Sequence, residues 1–301
     1  MRRRPRPRAA RAFNHVAVAA ARLRPRIAAH DRPEPAAGRP GRAPGLYKRG
    51  ACCYETPVLD RSAYDRLFEL EKRHFWRIGR RRTILDILER WRPDGDLRIL
   101  DIGGACSLVS QEMTRFGEVT VVEPDEPTAR FAARELGLDV RPGSLPDDMP
   151  VEGPFDVVTM FDVLEHIDDE APAMATVARL VRPGGLLVIT VPALPILWSD
   201  HDTSVHHRRR YTKATLRPVI EAAGFRIARL SYHTCLLFPL VFAQRMASRL
   251  RGLKAKPEYD VKVPAAPVNQ TLLAVMEAER RLFKHVNLPI GSSLFAVAYR
   301  E

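Results

Sequence analysis

The chain has 301 residues, of which 46% are hydrophobic, and it carries a formal net charge of +12 at pH 7. This length accommodates one large α/β domain with appendages, or two smaller domains. A basic balance is typical of proteins that bind nucleic acid or anionic membrane. The sequence has neither a helix-turn-helix pattern nor a strip of interleaved basic and aromatic residues. We therefore expect no nucleic-acid partner.

Cysteine spacing and hydropathy bear on the cellular compartment. Cys52, Cys53, Cys106 and Cys235 show neither disulfide nor C-x-x-C spacing, which is typical of a reducing compartment. No apolar run approaches the roughly 18 residues that a spanning helix needs. These features predict a cytoplasmic protein and leave peripheral membrane association open.

Residues 1–55 are rich in arginine, proline and alanine and poor in side chains that could form a core. A segment of this composition is expected to be disordered. An arginine-rich, acid-poor leader also resembles a transit peptide, and a misassigned start codon would look the same. The sequence alone does not separate these readings.

Residues 56–95 have the periodicity of two amphipathic helices, joined by the segment EKRHFWRIGRRR. One interpretation is a packed helix pair with solvated arginines. The other is a cap over a ligand crevice, with His74, Phe75 and Trp76 close to that crevice.

The stretch RILDIGGACS, residues 98–107, is the centre of the pattern. Its aliphatic residues predict a short buried strand, which Gly103 and Gly104 then end before a helical run. A second predicted strand ends on Glu123, roughly 20 residues further on, where such folds hold a ribose. Strand, glycine turn and helix in this order indicate a cofactor crevice.

Further strands and helices alternate along the chain. Strands are predicted at residues 138–141, 155–161, 186–191 and 225–233, with a turn at residues 182–185. Helices are predicted at residues 127–136 and 171–180, and another is capped by Thr212 and ends before Gly224. This alternation predicts an α/β fold with a parallel sheet.

The motifs LDIGG, VVEPD, FDVVTMFDVLEH and LVRPGGLLVITVP, in this order, resemble the class I S-adenosylmethionine-dependent methyltransferases. The closest likeness is to the bacterial small-molecule group that includes ubiquinone-biosynthesis O-methyltransferases. The resemblance implies a Rossmann-like, seven-stranded, mostly parallel sheet with an antiparallel last strand. We expect a disordered leader at residues 1–55, a helical cap at 56–95, the core at 96–232, a helical insertion at 233–292 and the closing strand at 293–301.

The resemblance also implies the cofactor, S-adenosylmethionine, and the residues around it. The methionyl part would lie near Asp101, Gly103 and Ala105, and Glu123 would hold the ribose. The residues expected at the adenine and at the sulfonium are Ser144, Leu145 and Phe161. One departure is that Ala105 and Ser107 replace two glycines of the pattern D-x-G-x-G-x-G.

A loop after the fifth strand is dense in histidine, acid and aromatic residues, which favours recognition of a methyl acceptor. It contains Trp198, His201, Asp202, His206, His207 and Tyr211. We expect a small-molecule or lipid-like acceptor, methylated at oxygen, with His166 or His206 as a catalytic base. A carbon or amine acceptor is the other possibility, and not every such acceptor requires a base. The alternatives are a non-catalytic domain that binds S-adenosylmethionine and a nicotinamide-dependent oxidoreductase.

Asp162, Glu165 and His166 are spaced so that they share one face of a helical turn. Some relatives, among them small-RNA 3′-end methyltransferases, resemble this with a metal bound by E-x-x-E-H and a later histidine, which here would come from the pair His206 and His207. The first acid of the motif is the shorter Asp162 in this sequence. Mg²⁺, Mn²⁺ or Zn²⁺ would suit such ligands. The other interpretation is that no metal binds and that Glu165 and His166 cap and position the crevice. We adopt this second interpretation for the predicted site.

The insertion contains an apolar block, beginning at Leu236, and then Arg245, Arg249, Arg251, Lys254 and Lys256. It is either a helix packed on the core with a basic outer face or a segment that contacts anionic membrane. Residues 269–284 predict one more amphipathic helix. The sequence leaves the oligomeric state open.

Overall fold

The computed structural model describes residues 61–104, 107–251 and 261–301, so the predicted leader at residues 1–55 lies outside the described residues. Strands and helices alternate in this part of the chain, which confirms the predicted α/β fold. The strands are β1 (Leu97–Ile102), β2 (Gly117–Glu123), β3 (Asp139–Pro142), β4 (Phe155–Phe161), β5 (Val181–Pro192), β6 (Phe225–His233) and β7 (Ser293–Arg300).

The helices of the described part flank these strands in sequence. They are α1 (Arg61–Arg73), α2 (Phe75–Trp91), α3 (Leu108–Met113), α4 (Glu126–Leu136), α5 (Glu170–Leu180), α6 (Asp200–Ser204), α7 (Lys213–Ala222), α8 (Phe238–Arg251) and α9 (Ala266–Phe283). Thr212 caps α7 by accepting a hydrogen bond from the Thr215 amide, as its position before the helix predicts.

The strands form one sheet in the order β3-β2-β1-β4-β5-β7-β6. Strand β1 pairs in parallel with β2 and β4, and β7 lies antiparallel between β5 and β6. The predicted seven-stranded sheet with an antiparallel last strand is therefore confirmed. Aliphatic side chains of β1, β4 and β5 are buried on both faces, and each contributes about 1.5–3 kcal/mol to stability. The carboxyl ends of the parallel strands share one edge of this sheet.

One local boundary differs from the prediction. The turn expected at residues 182–185 lies inside β5, because Val181 already pairs with Phe155 and the register shifts between Phe155 and Val157. Gly184, with φ of +69°, allows the bend within the strand. The segment EKRHFWRIGRRR joins two helices, as predicted: α1 ends and α2 begins on either side of His74, whose Nδ1 accepts from the Trp76 amide and caps α2.

The insertion packs on the N-terminal helices. Gly79 of α2 meets Met276 of α9 so closely that a Cβ on Gly79 would lie 2.7 Å from the Met276 Cβ. The carboxylate of Glu279, also on α9, accepts hydrogen bonds from the Thr234 and Leu236 amides after β6. None of the described helices is long and apolar enough to cross a membrane.

Candidate active site

The turn after β1 leaves room for a ligand but not for side chains. Gly103 has φ of +76°, and its amide donates to the Val122 oxygen at 2.7 Å. A Cβ there would lie 2.6 Å from the Val163 side chain, and one on Gly104 would lie 2.0 Å from Asp101 Oδ2. Ala105 lies outside the described residues. The backbone is thus exposed at this strand end.

Asp101 is buried beneath that turn. Its carboxylate accepts hydrogen bonds from Ser110 Oγ at 2.5 Å and Thr159 Oγ1 at 2.6 Å. Burial raises its pKa to about 6, against the effect of these two hydroxyl donors. Asp101 therefore joins β1, β4 and α3 and does not itself line the cavity described below.

The residues predicted around the ribose and adenine lie at the neighbouring strand ends. Glu123 ends β2, and its carboxylate accepts from the Asp125 amide at 3.2 Å. Ser144 follows β3 and exchanges main-chain hydrogen bonds with Asp148, while Leu145 is buried. None of these three residues lines the cavity described next.

A cavity of about 970 Å³ extends from the glycine turn towards the insertion and towards the loop between β5 and α7, named the acceptor loop after its predicted role. Of the sequence-predicted site residues, Gly103, Phe161 and His166 line it. Helix α2 forms another wall, which agrees with the cap interpretation. The lining from α2 and from the insertion includes His74, Trp76, Arg77, Arg80, Val241, Gln244, Arg245, Ser248 and Arg249.

Arg80 is a site residue that the sequence interpretation missed, because α2 was read as bearing solvated arginines. Its side chain is only 12% exposed and pairs with Asp162 at 2.8 Å. It also donates to Thr190 Oγ1 at 2.7 Å. The signal was the i, i+3 spacing of Arg77 and Arg80, which puts both guanidiniums on one helix face.

Glu165, His166 and His207 form a cluster on the cavity wall. One ligand atom from each lies within 4.8 Å of the others, so the three could hold a metal ion. The Glu165 carboxylate is fully buried, and the described residues offer neither of its oxygens a hydrogen bond. Burial and the nearby Asp162 raise the pKa of Glu165 well above its ordinary value.

The histidine that reaches this cluster is His207 and not the predicted His206. His206 adopts φ of +59° and is exposed, so the chain turns there. His207 Nδ1 lies 2.9 Å from Asp202 Oδ1, and its Nε2 lies 3.8 Å from Glu165 Oε1. Of the two histidines, His207 is therefore the one that shares a cluster with Glu165 and His166.

Asp202 is the anchor of the acceptor loop. It is fully buried and also accepts from Arg210 Nε at 2.7 Å and from the Ser199 amide at 2.9 Å. Burial opposes its ionisation, but hydrogen bonds from His207 and Arg210 outweigh burial and lower its pKa. An ionised carboxylate only accepts, so His207 Nδ1 carries the proton and Nε2 is left as the basic nitrogen.

Two further histidines of the cavity are held neutral near pH 7. Burial and the neighbouring His207 lower the pKa of His166 to about 4. Burial and the guanidinium of Arg245 lower the pKa of His201 to about 4. Both imidazoles are therefore weak bases near pH 7, and each can bind a metal without first losing a proton.

Comparison with known proteins agrees with this architecture. Residues 75–230, more than half of the chain, match the family described as "Methyltransferase domain". The chain therefore belongs to that family. S-adenosylmethionine is the cofactor of this class, and the side-chain-free turn at Gly103 beside the carboxylate of Glu123 fits such a cofactor.

Individual relatives match over part of their length. The chain is 38% identical over 117 residues to the ubiquinone biosynthesis O-methyltransferase of Caulobacter sp. (strain K31), covering 34% of this chain and 46% of that protein. It is 30% identical over 159 residues to a Mycolicibacterium smegmatis protein named as a probable S-adenosylmethionine-dependent methyltransferase, covering 52% and 60%. The chain thus spans about half the length of the curated relatives it matches.

A solved structure shows the same fold. It is a chain from the complex between the Haloferax volcanii Trm112 methyltransferase activator and a methyltransferase. The TM-score is 0.52 at 16% identity, and the match covers 79% of this chain and 95% of that chain. At this identity the likeness shows the fold alone.

Proposed function

We propose that the protein transfers a methyl group from S-adenosylmethionine to a hydroxyl oxygen of a small-molecule or lipid-like acceptor. The observation that carries the proposal is one cavity that joins the glycine turn to the cluster of Glu165, His166 and His207. The partial match to ubiquinone biosynthesis O-methyltransferases supports oxygen as the acceptor atom.

The chain's main task in this reaction is positioning. When bound, the sulfonium cofactor supplies a methyl group that is already electrophilic. Gly103 and Phe161 would lie along its methionyl and sulfonium parts, while Glu123, Ser144 and Leu145 would hold the ribose and adenine. Alignment of the acceptor in a cavity shielded from water contributes up to about 7–11 kcal/mol to such transfers.

His207 is the base that the geometry favours. Since Asp202 accepts from Nδ1–H, the lone pair of Nε2 is free to take the proton of an acceptor hydroxyl. The oxygen then forms its bond to the methyl carbon, and the electron pair of the broken carbon–sulfur bond stays on sulfur. His166, 4.8 Å away between ring centres, is the alternative base.

Matched acceptors test the proposal. With labelled S-adenosylmethionine, 3,4-dihydroxybenzoate should be methylated and 3,4-diaminobenzoate should not. His207→Ala should lose about 100-fold or more in rate, as expected for a general base, while His206→Ala serves as the adjacent control with full activity. Transfer to the diamine alone contradicts oxygen chemistry. Cofactor binding without any transfer favours the non-catalytic alternative.

As an alternative to proton transfer by His207, we propose that Glu165, His166 and His207 hold a divalent cation, since Nε2 of His207 can serve either as a base or as a metal ligand but not as both. Support comes from the unsatisfied, buried Glu165 carboxylate and from the mixed carboxylate and imidazole donors, which suit Mg²⁺, Mn²⁺ or Zn²⁺. Asp162 is not a member of this set, because Arg80 and Thr190 occupy its carboxylate.

Metal removal and direct binding test the cation site. EDTA treatment should abolish methylation of 3,4-dihydroxybenzoate, and added Mn²⁺ should restore it. Calorimetry should show Mn²⁺ binding to the wild type that Glu165→Gln loses. Full activity in EDTA, or equal Mn²⁺ binding by the variant, would remove the cation from the account.

A lipid-like acceptor requires a route to the membrane, and we propose that the surface around α8 provides it. Leu236, Leu240 and Leu250 are exposed there. However, Arg245 and Arg249 line the cavity, and Lys254 and Lys256 lie outside the described residues. Flotation with phosphatidylglycerol vesicles should recover the wild type and less of Leu240→Ser/Leu250→Ser. Equal recovery of both proteins, or none of either at low salt, contradicts membrane contact.

A further inference from the structure

We propose that the end of the cavity under α8 is a binding site for an anionic group of the acceptor, a carboxylate or a phosphate. The site consists of Arg245 and Arg249, and we name it the α8 arginine pair. This inference rests on the proposed function, since it assigns one chemical class to the acceptor of that reaction.

One face of α8 points into the cavity. The residues that line it are Val241, Gln244, Arg245, Ser248 and Arg249, which recur at steps of three and four. That spacing is the repeat of a single helix face. The two guanidiniums therefore lie one helical turn apart on the cavity wall, Arg245 half-buried and Arg249 at an exposed position.

The α8 arginine pair lacks a carboxylate partner among the described residues. Arg245 donates to the Ser199 hydroxyl, and Arg249 Nε donates to the main-chain oxygen of Trp198 at 3.1 Å. A guanidinium has five N–H donors, so both side chains keep donors for a ligand. Each neutral acceptor fixes the direction of its guanidinium without cancelling the charge.

The other arginines of the wall differ in this respect. Arg80 pairs with Asp162 at 2.8 Å, and Arg210 pairs with Asp202 at 2.7 Å. Burial and the neighbouring Arg210 and Arg249 lower the pKa of Arg245, although Asp202 acts in the opposite direction. The positive potential at the pair is therefore not neutralised by the surrounding side chains.

Like charges four residues apart on a helix repel each other, and partial burial strengthens that repulsion. A carboxylate or phosphate would remove it and would accept two or more charge-assisted hydrogen bonds. Asp200, which also lines the cavity, is exposed and forms no ion pair with either arginine in the described part of the chain. An anionic ligand is the occupant that this arrangement fits.

Two groups of lining residues then have complementary tasks. The carboxylate and imidazoles of Glu165, His166 and His207 lie where a hydroxyl would react. The α8 arginine pair would bind the charged group of the same molecule and so orient that hydroxyl. Arg245 and Arg249 are thus positioning and specificity residues and take no part in proton transfer.

Calorimetry with small probes tests this assignment. Benzoate, phenyl phosphate and uncharged phenol are titrated into the wild type, Arg249→Gln, Arg245→Gln/Arg249→Gln and the control Arg217→Gln. Arg217 is exposed, pairs with Glu221 on α7 and does not line the cavity. We expect the wild type and the control to bind an anionic probe at least about tenfold more tightly than phenol. The double variant should lose this preference, and Arg249→Gln, at an exposed position, should lose part of it.

Preferential binding of either anion supports the proposal. The anion that binds with the higher affinity identifies the group as a carboxylate or a phosphate. Equal binding of charged and uncharged probes overturns it, as does unchanged anion binding by the double variant. S-adenosylhomocysteine is titrated separately into all four proteins and should bind equally. Weaker binding only in the double variant would assign the pair to the cofactor's own carboxylate. Failure in the wild type would contradict the proposed function, while the anion titrations, made without cofactor, still decide the α8 site.

Discussion

At the scale of single residues, Asp101 shows how an acid beside a cofactor turn can serve the fold. Its carboxylate receives two hydroxyl hydrogen bonds in a fully buried position, and Gly104 packs directly against it. Burial still raises its pKa to about 6 from the ordinary 3.8. The folded chain therefore holds a proton on Asp101 over a pH range where the unfolded chain has lost it.

This shift predicts a pH-dependent effect of Asp101→Asn. Between about pH 4 and pH 6 the folded state binds more protons, so the contribution of Asp101 to stability falls as pH rises and stays low above that range. Asparagine does not titrate. The variant should therefore gain stability relative to the wild type on going from pH 4 to pH 7, by roughly 3 kcal/mol at most. Urea unfolding at both pH values measures the difference, and a difference that does not change with pH contradicts the assignment.

Neighbouring histidines show where sequence interpretation ends at this scale. The motif with Glu165 and His166 could be recognised, because both follow a predicted strand directly. The sequence could not show which of His206 and His207 joins them. That depends on φ of +59° at His206 and on the buried Asp202, which binds His207. A single backbone rotation decides which ring faces the cavity.

At the scale of elements, α2 is held between the core and α9. Gly79 lies at the crossing with Met276, and no side chain fits between the two helices there. Glycine is unfavourable within a helix by about 0.5–1 kcal/mol relative to alanine. Close packing of α2 on α9 gives a physical reason for a glycine at this position.

Gly79→Ala therefore has two opposing effects on the free energy of unfolding. Helix propensity alone predicts higher stability, whereas a Cβ placed 2.7 Å from that of Met276 forces the helices apart. Overpacking costs typically about 1–3 kcal/mol, so we expect a net loss in the free energy of unfolding. Thermal unfolding measures this loss. Glu89→Ala, at an exposed position on the same helix, is the control, and its change in the free energy of unfolding should be near zero. A stabilised Gly79→Ala would show that the crossing is looser than described.

Most elements could be predicted because their signals are local. Buried strands such as β4 are continuous apolar runs, and Ser107 and Thr212 precede their helices as capping residues. The difference at residues 182–185 has a non-local reason. Strand pairing between β4 and β5 determines where β5 begins, and this pairing leaves no pattern in the local sequence.

At the scale of the whole molecule, the cavity brings together residues that are far apart in the chain. Gly103, Phe161 and His166 could be predicted from motifs at strand ends. Arg80 and Arg245 could not, because their partners Thr190 and Ser199 are 110 and 46 residues away. Sequence periodicity places a residue on a helix face, but only packing decides what that face covers.

The central claim is that this fold binds a sulfonium cofactor at the glycine turn beside Glu123. Calorimetric titration of S-adenosylhomocysteine into the wild type, Glu123→Ala and Glu126→Ala tests it most directly. Glu126 is exposed on α4 and pairs with Arg130, which makes it a control three residues away. Loss of two charge-assisted hydrogen bonds should weaken binding to Glu123→Ala by about tenfold to a hundredfold and leave Glu126→Ala unchanged. Equal affinity of Glu123→Ala and the wild type, or tighter binding of NAD than of S-adenosylhomocysteine, would contradict the account.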